Sequence, residues 1–436
     1  MKRILLSIGL ATGLAGNLFA GETLNLKLVP DREILLKGSP QEVVVKIDLS
    51  AIADRKKTRR TPLNLAVVID RSGSMTGAKL EKTKQAAMQL VDRLTREDIF
   101  SLIVFSDEAR VLVPAQKVED KDALREKIQA ITAEGSTALY AGVKQGADQI
   151  EEYLSSKRIN RVILLSDGLA NVGPSTPRDL RRLGGTLSEH GVSVTTIGVG
   201  DDYNEDLMAG LAEASDANYY YVKDTEKLPE IFAKELGEML AVAARDVKIE
   251  IICPEGVKPL GFIGRPEQVE SQKASMNLSQ ITLGQNRYLF LRCLVSEAKP
   301  EIARVKVSYK DELDNGRDQS ASGVVKIRFT DDRKTADKSF NYAVNAEKEL
   351  VLTAVAKDEA MAQADSGKLQ DAAATLTRQK AQLDAVYANA PATVQEQIRA
   401  ETNNLLNFSG QLSGGAYGAG TRKVMQSQSY NSRNSK

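Results

Sequence analysis

Two carboxylates and three hydroxyls mark where this chain could hold a hard cation. Asp70, Ser72 and Ser74 alternate in Asp70-Arg71-Ser72-Gly73-Ser74-Met75. Thr137 sits in Gly135-Ser136-Thr137-Ala138-Leu139, and Asp167 in Leu164-Leu165-Ser166-Asp167-Gly168. Oxygen donors of this kind suit Mg²⁺ or Ca²⁺. Each motif also has a plainer use, because Ser-rich turns cap helices and Asp-Gly after a strand is a common turn. On that bland reading the side chains only cap and brace loops. The three motifs in order, each on a strand end, point instead to one shared site.

The elements that must position them alternate. Between Pro62 and Val242 the apolar runs LNLAVVID, FSLIVF, RVILLS and VSVTTIGVG are too short for helices and suit strands buried on both faces. Amphipathic spacing predicts helices over Lys79 to Leu94, Lys121 to Ile131, Ala138 to Leu154, Pro177 to His190 and Glu205 to Ala214. The alternation predicts a doubly wound, mostly parallel α/β sheet. ARVLVPA follows FSLIVFSDE too closely for a parallel crossover, so it reads as an antiparallel edge strand, where Pro114 is tolerated. Ligand sites in such sheets lie outside the carboxyl ends of the strands, where the strand order reverses. The three oxygen-bearing loops sit on that edge.

In this setting residues 61–242 resemble a von Willebrand factor type A domain with an intact metal-ion-dependent adhesion site, down to the G-S-T-A-L-Y-A-G turn and the final Tyr-Tyr-Tyr strand. The resemblance implies Mg²⁺, with Mn²⁺ or Ca²⁺ as substitutes, held directly by Ser72, Ser74 and Thr137, while Asp70 and Asp167 act mainly through water. One position stays open for a carboxylate of a protein partner. Neutral hydroxyl ligands leave the ion electrophilic, which fits binding of an anionic group.

After Asp246 the pattern changes to period two: Val247, Ile249, Ile251, Cys253, then Leu289, Leu291, Cys293, Val295, and further runs to Phe329. Strands with one buried face predict an antiparallel β-sandwich over 243–335, joined by the strands in 21–60. That arrangement resembles bacterial relatives of calcium-activated chloride channel proteins and of inter-alpha-trypsin inhibitor heavy chains. Cys253 and Cys293 are expected on the inward face of neighbouring strands, as one disulfide or as two buried thiols. The Ala-rich stretch 342–408 predicts about three short helices broken at Gly367 and Asn389-Ala390-Pro391. The polar tail 409–436 reads as disordered.

The first 20 residues, with Lys2 and Arg3 ahead of an apolar run ending at Ala20, read as a cleaved signal peptide, with an uncleaved anchor as the alternative. Cleavage there turns the formal charge from +1 to −1, which disfavours nucleic acid as a partner. The basic stretch Asp54 to Arg60 reads as a solvated linker. One histidine, His190, and no H-E-x-x-H leave zinc hydrolysis and Ser-His or Cys-His catalysis without their parts. His190 suits a helix end, and Asp201, Asp202, Glu205 and Asp206 suit a helix start more than a second cation site. The expectation is a non-enzymatic, metal-dependent binding protein in the periplasm or outside the cell. The alternatives are a metal-independent envelope assembly component and an accessory subunit of a membrane complex.

Overall fold

The computed structural model describes residues 17–20, 23–52, 60–265 and 269–435. Most of the expected signal segment and of the basic stretch lie outside them. Asn17–Ala20 is described, and pairs antiparallel with Leu24–Pro30.

The central sheet has six strands in the order Tyr219–Val222, Ser193–Val199, Ile159–Ser166, Leu63–Asp70, Ile99–Phe105, Ala109–Lys117. All neighbours are parallel except the last, which runs antiparallel along the edge with Pro114 facing solvent. From Leu63–Asp70 the chain builds outward on one side, then returns to build on the other. The reversal therefore falls between Leu63–Asp70 and Ile159–Ser166.

Leu63–Asp70 is buried along its whole length because both faces are covered. Leu65, Val67 and Ile69 belong to one core with helices Ala78–Arg93, Lys121–Gln129 and Leu228–Leu240, whereas Ala66 and Val68 belong to another with Leu139–Glu151, Pro177–Glu189 and Glu205–Ala214. Successive side chains on a strand point to opposite faces, so a continuous apolar run is what a two-sided core requires.

Chain on both sides of this domain forms two five-stranded antiparallel sheets. One contains Leu24–Pro30, Gln41–Ala51, Asn286–Val295 and Val257–Phe262 beside Asn17–Ala20. The other contains Lys273–Thr282, Val242–Ile252, Glu301–Asp311 and Arg317–Lys326 beside Val269–Glu270. Their alternate inward residues, among them Val45, Ile47, Ile249, Leu291 and Val307, make one core, as period two demands.

Three expectations need correction. Cys253 and Cys293 do not lie on neighbouring strands: Cys293 pairs in register with Val43 and Pro259 in one sheet, and Cys253 follows directly on Val242–Ile252 of the other. They meet across the core as buried free thiols, hydrogen-bonded to one another. The helices of 342–408 are long: Tyr342–Asp365, Leu369–Tyr387 and Ala392–Ser413, turning at Gly367, whose φ of +78° suits glycine. The tail is not disordered. Ala419–Asn434 is a helix held by tertiary contacts that its polar composition does not announce: Tyr430 is fully buried in the core of the central domain and donates to the Ala217 carbonyl. Arg422 bridges Glu205 (2.7 Å), Asp206 (2.8 Å) and Asp365 (2.7 Å).

Candidate metal centre

Asp70 closes its strand, and the adjacent parallel strand delivers Asp167 one residue past Ser166, so the two fully buried carboxylates stand at the reversal of strand order. One oxygen of Asp70 accepts from the Ser72 backbone N–H (2.8 Å) and the other from the Ser166 hydroxyl. Burial, aided by the nearby charge of Asp167, pushes the Asp70 carboxyl up to about 6, against the lowering effect of the Ser166 and Ser72 hydrogen bonds.

The turn after Asp70 is a single 3₁₀ turn, Gly73–Met75, anchored by the fully buried Met75. Anchoring aims the serine hydroxyls at Asp167: Ser72 and Ser74 Oγ are 3.1 Å apart, and Ser74 Oγ donates to Asp167 Oδ1 at 2.7 Å. Ser72 is buried and Ser74 exposed, so the group opens to solvent at Ser74.

The third loop is tied to its neighbours by hydrogen bonds to and from its own backbone. Gly73 N–H donates to Gly135 O (3.0 Å), Glu134 N–H to Arg71 O (2.7 Å) and Ala138 N–H to Ser106 O (2.7 Å), while Asn171 Oδ1 accepts from Thr137 N–H (2.9 Å). A β-carbon on Gly168 would lie 2.8 Å from Thr137 Oγ1 and 3.6 Å from Asp70 Oδ2, so these three positions are in contact and only glycine fits between them. Behind Thr137 the helix Leu139–Glu151 lies hard against the sheet. Added β-carbons on Gly142 and Gly146 would fall 2.7 Å from Phe105 and 2.6 Å from Val68.

All five residues singled out in the sequence are thus gathered at one point. Sequence reasoning missed Lys79. From the first turn of Ala78–Arg93 its ammonium pairs with Asp167 Oδ2. The only hint in sequence was a lysine just past the serine turn, which no spacing rule distinguishes from a surface lysine.

The donor set fits a hard cation: two carboxylates and three hydroxyls, with an open side at Ser74. Among the described residues no three His, Cys, Asp or Glu side chains gather as a metal cluster. His190 caps the helix Pro177–Glu189, 3.9 Å from Glu151. Asn204 caps Glu205–Ala214, and Glu205 and Asp206 in its first turn are taken by Arg422. No helix among the described residues is long and apolar enough to cross a membrane.

Comparison with known proteins places this geometry in context. The family model described as "von Willebrand factor type A domain" matches residues 64–234. The uncharacterized protein sll0103 of Synechocystis sp. is 30% identical over 305 residues, spanning 66% of this chain and 71% of that protein. The human inter-alpha-trypsin inhibitor heavy chain H4 is 32% identical over 160 residues, 35% of this chain and 17% of that one. A solved structure, von Willebrand factor type A from Catenulispora acidiphila, superposes with a TM-score of 0.69 at 19% identity, covering 88% of this chain and 92% of that one. Because the superposition spans sandwich and helices as well as the central sheet, the likeness in fold extends beyond the matched domain.

Proposed function

Because the chain belongs to the von Willebrand factor type A domain family, we propose that its three loops form a divalent-cation site through which an exported, non-enzymatic protein binds a carboxylate of a protein partner. The observation that carries this reading is the convergence of Asp70, Ser72, Ser74, Thr137 and Asp167 on one strand edge. Ser72, Ser74 and Thr137 would bind Mg²⁺ directly, and Asp70 and Asp167 would orient its water and the serine hydroxyls. Mn²⁺ or Ca²⁺ would serve in its place. The bound ion would supply one open position for an Asp or Glu oxygen from the partner. Within the chain, Asp70 fixes the turn by accepting the Ser72 N–H, and Gly168 keeps space beside Thr137. Export would place Cys253 and Cys293 in an oxidising compartment, where the touching thiols would close as a disulfide.

A metal-independent assembly role is the second reading, and the Lys79–Asp167 pair favours it, since it neutralises one carboxylate without any ion. Calorimetric titration of the full chain with Mg²⁺, Mn²⁺ and Ca²⁺, beside Asp70→Ala, decides between them. Saturable binding lost in the variant supports the metal-bridged module. No heat with any of the three cations leaves the loops as scaffolding and favours the assembly role.

A further inference from the structure

Asp167 is fully buried, and a buried carboxylate needs compensation at both oxygens. Ser74 supplies a hydroxyl to Oδ1, and Lys79 supplies a full positive charge to Oδ2. Lys79 stands in the first turn of its helix, where the backbone partial charge is positive and acidic side chains are the favoured occupants. Its placement there runs against the helix field, and Asp167 is the compensating partner. The side chain is 27% exposed and its stem is a flexible four-carbon chain, so the ammonium can withdraw into water without moving the backbone. On its other side lies Gly200, at a distance of 3.6 Å from Nζ to where a β-carbon would stand, so the loop after Ser193–Val199 leaves the lysine room.

We propose that Lys79 is the resident cation of this centre: it neutralises Asp167 in the metal-free protein, and a divalent ion binds only by displacing it. The proposal rests on the metal-bridged reading above and adds the residue that sets its affinity. With Lys79 in place the two carboxylates already carry one counter-charge. An incoming Mg²⁺ must break that pair and would repel an ammonium left beside it. Removing the lysine raises the free energy of the metal-free state, because Asp167 is left without its counter-charge, and does not raise that of the metal-bound state. Affinity must therefore rise.

The test uses the full chain and Mg²⁺ alone. Lys79→Gln is expected to bind Mg²⁺ roughly tenfold more tightly or better. In chelator its unfolding midpoint is expected to fall by a few degrees, and saturating Mg²⁺ should bring it back to the wild-type value. Lys79→Arg, which keeps the charge, should not gain affinity, and Lys79→Met replaces the glutamine variant if that one folds poorly. Equal Mg²⁺ affinity in wild type and Lys79→Gln, with wild type still losing binding on Asp70→Ala, overturns this proposal and leaves the metal site standing. Absence of Mg²⁺ binding in both overturns the metal reading, and this one with it.

Discussion

Gly146→Ala asks whether the packing of one helix sets the geometry of the proposed metal centre. The helix Leu139–Glu151 starts two residues after Thr137, and its buried face carries Gly142, Val143, Gly146, Ala147 and Ile150. A methyl at position 146 would stand 2.6 Å from Val68 Cγ2 and 3.4 Å from Val162 Cγ1. Carbon atoms prefer about 3.5–4.0 Å, so the helix must retreat by roughly 1 Å. Overpacking of this kind costs about 1–3 kcal/mol, while alanine returns about 1 kcal/mol of helix propensity. The net loss is about 0–2 kcal/mol, or at most a few degrees in Tm. A binding site tolerates only about 0.5 Å of misplacement, so on the metal-bridged reading Thr137, carried outward with the helix, should lose its place as a ligand. The expected result is Mg²⁺ affinity lowered on the order of tenfold in a protein that still folds, read by calorimetry beside thermal unfolding. Gly185→Ala is the control: its helix has nothing within 4 Å of the added carbon, so it should gain about 0.5–1 kcal/mol and leave Mg²⁺ binding unchanged. The reasoning is refuted if Gly146→Ala melts above wild type, as Gly185→Ala should, and binds Mg²⁺ as tightly as wild type does.

Other perturbations probe contacts elsewhere in the fold. Arg161, 2% exposed, lies 3.7 Å from the equally buried Glu235 and reaches Gln280 (2.9 Å) and Thr195 (3.2 Å), so Arg161→Met should cost about 3–5 kcal/mol by leaving Glu235 without its cation. Urea unfolding should show most of that loss recovered on adding Glu235→Gln, and a double mutant no better than the single one contradicts the pairing. Tyr430 stacks edge-on against Tyr219 at 5.6 Å, and Tyr430→Ala should remove about 3–5 kcal/mol of docking energy from Ala419–Asn434. Limited proteolysis should then cut near Gly418 with the rest of the chain intact, and an unchanged digestion pattern argues against this anchor. Burial raises the Asp31 carboxyl above its ordinary value, against the hydrogen bond from Val44 and the charges of Arg32 and Lys348. Its neutral form favours the fold, so that stability is present below the ordinary carboxylate range and is lost as pH rises through the raised value. Asp31→Asn, which keeps the acceptor for Val44, should match wild type near pH 4 and melt higher near pH 7, and a constant gap across that range refutes it.

What the sequence by itself determined is what short-range chemistry encodes. Continuous β-branched runs named the strands buried on both faces, and period-two runs named the sandwich. Oxygen side chains at strand ends then named the centre, because strand order in a doubly wound sheet brings the carboxyl ends of neighbouring strands together. The match of a family model to residues 64–234 agrees with the domain read there from the alternation of strands and helices. Other features depend on partners far away in the chain. Lys79 looks like any helical surface lysine until the Ile159–Ser166 strand sets Asp167 beside it. Cys253 and Cys293 share an inward-facing pattern, but only the stacking of two sheets decides that they meet across the core. Composition failed for the helix Ala419–Asn434, because a few buried contacts, Tyr430 under Ala217 and Arg422 among three carboxylates, outweigh a polar sequence with little apolar surface of its own. Local patterning fixes which residues can be buried, and the burial of each against a distant neighbour is settled only when the sheets and helices pack.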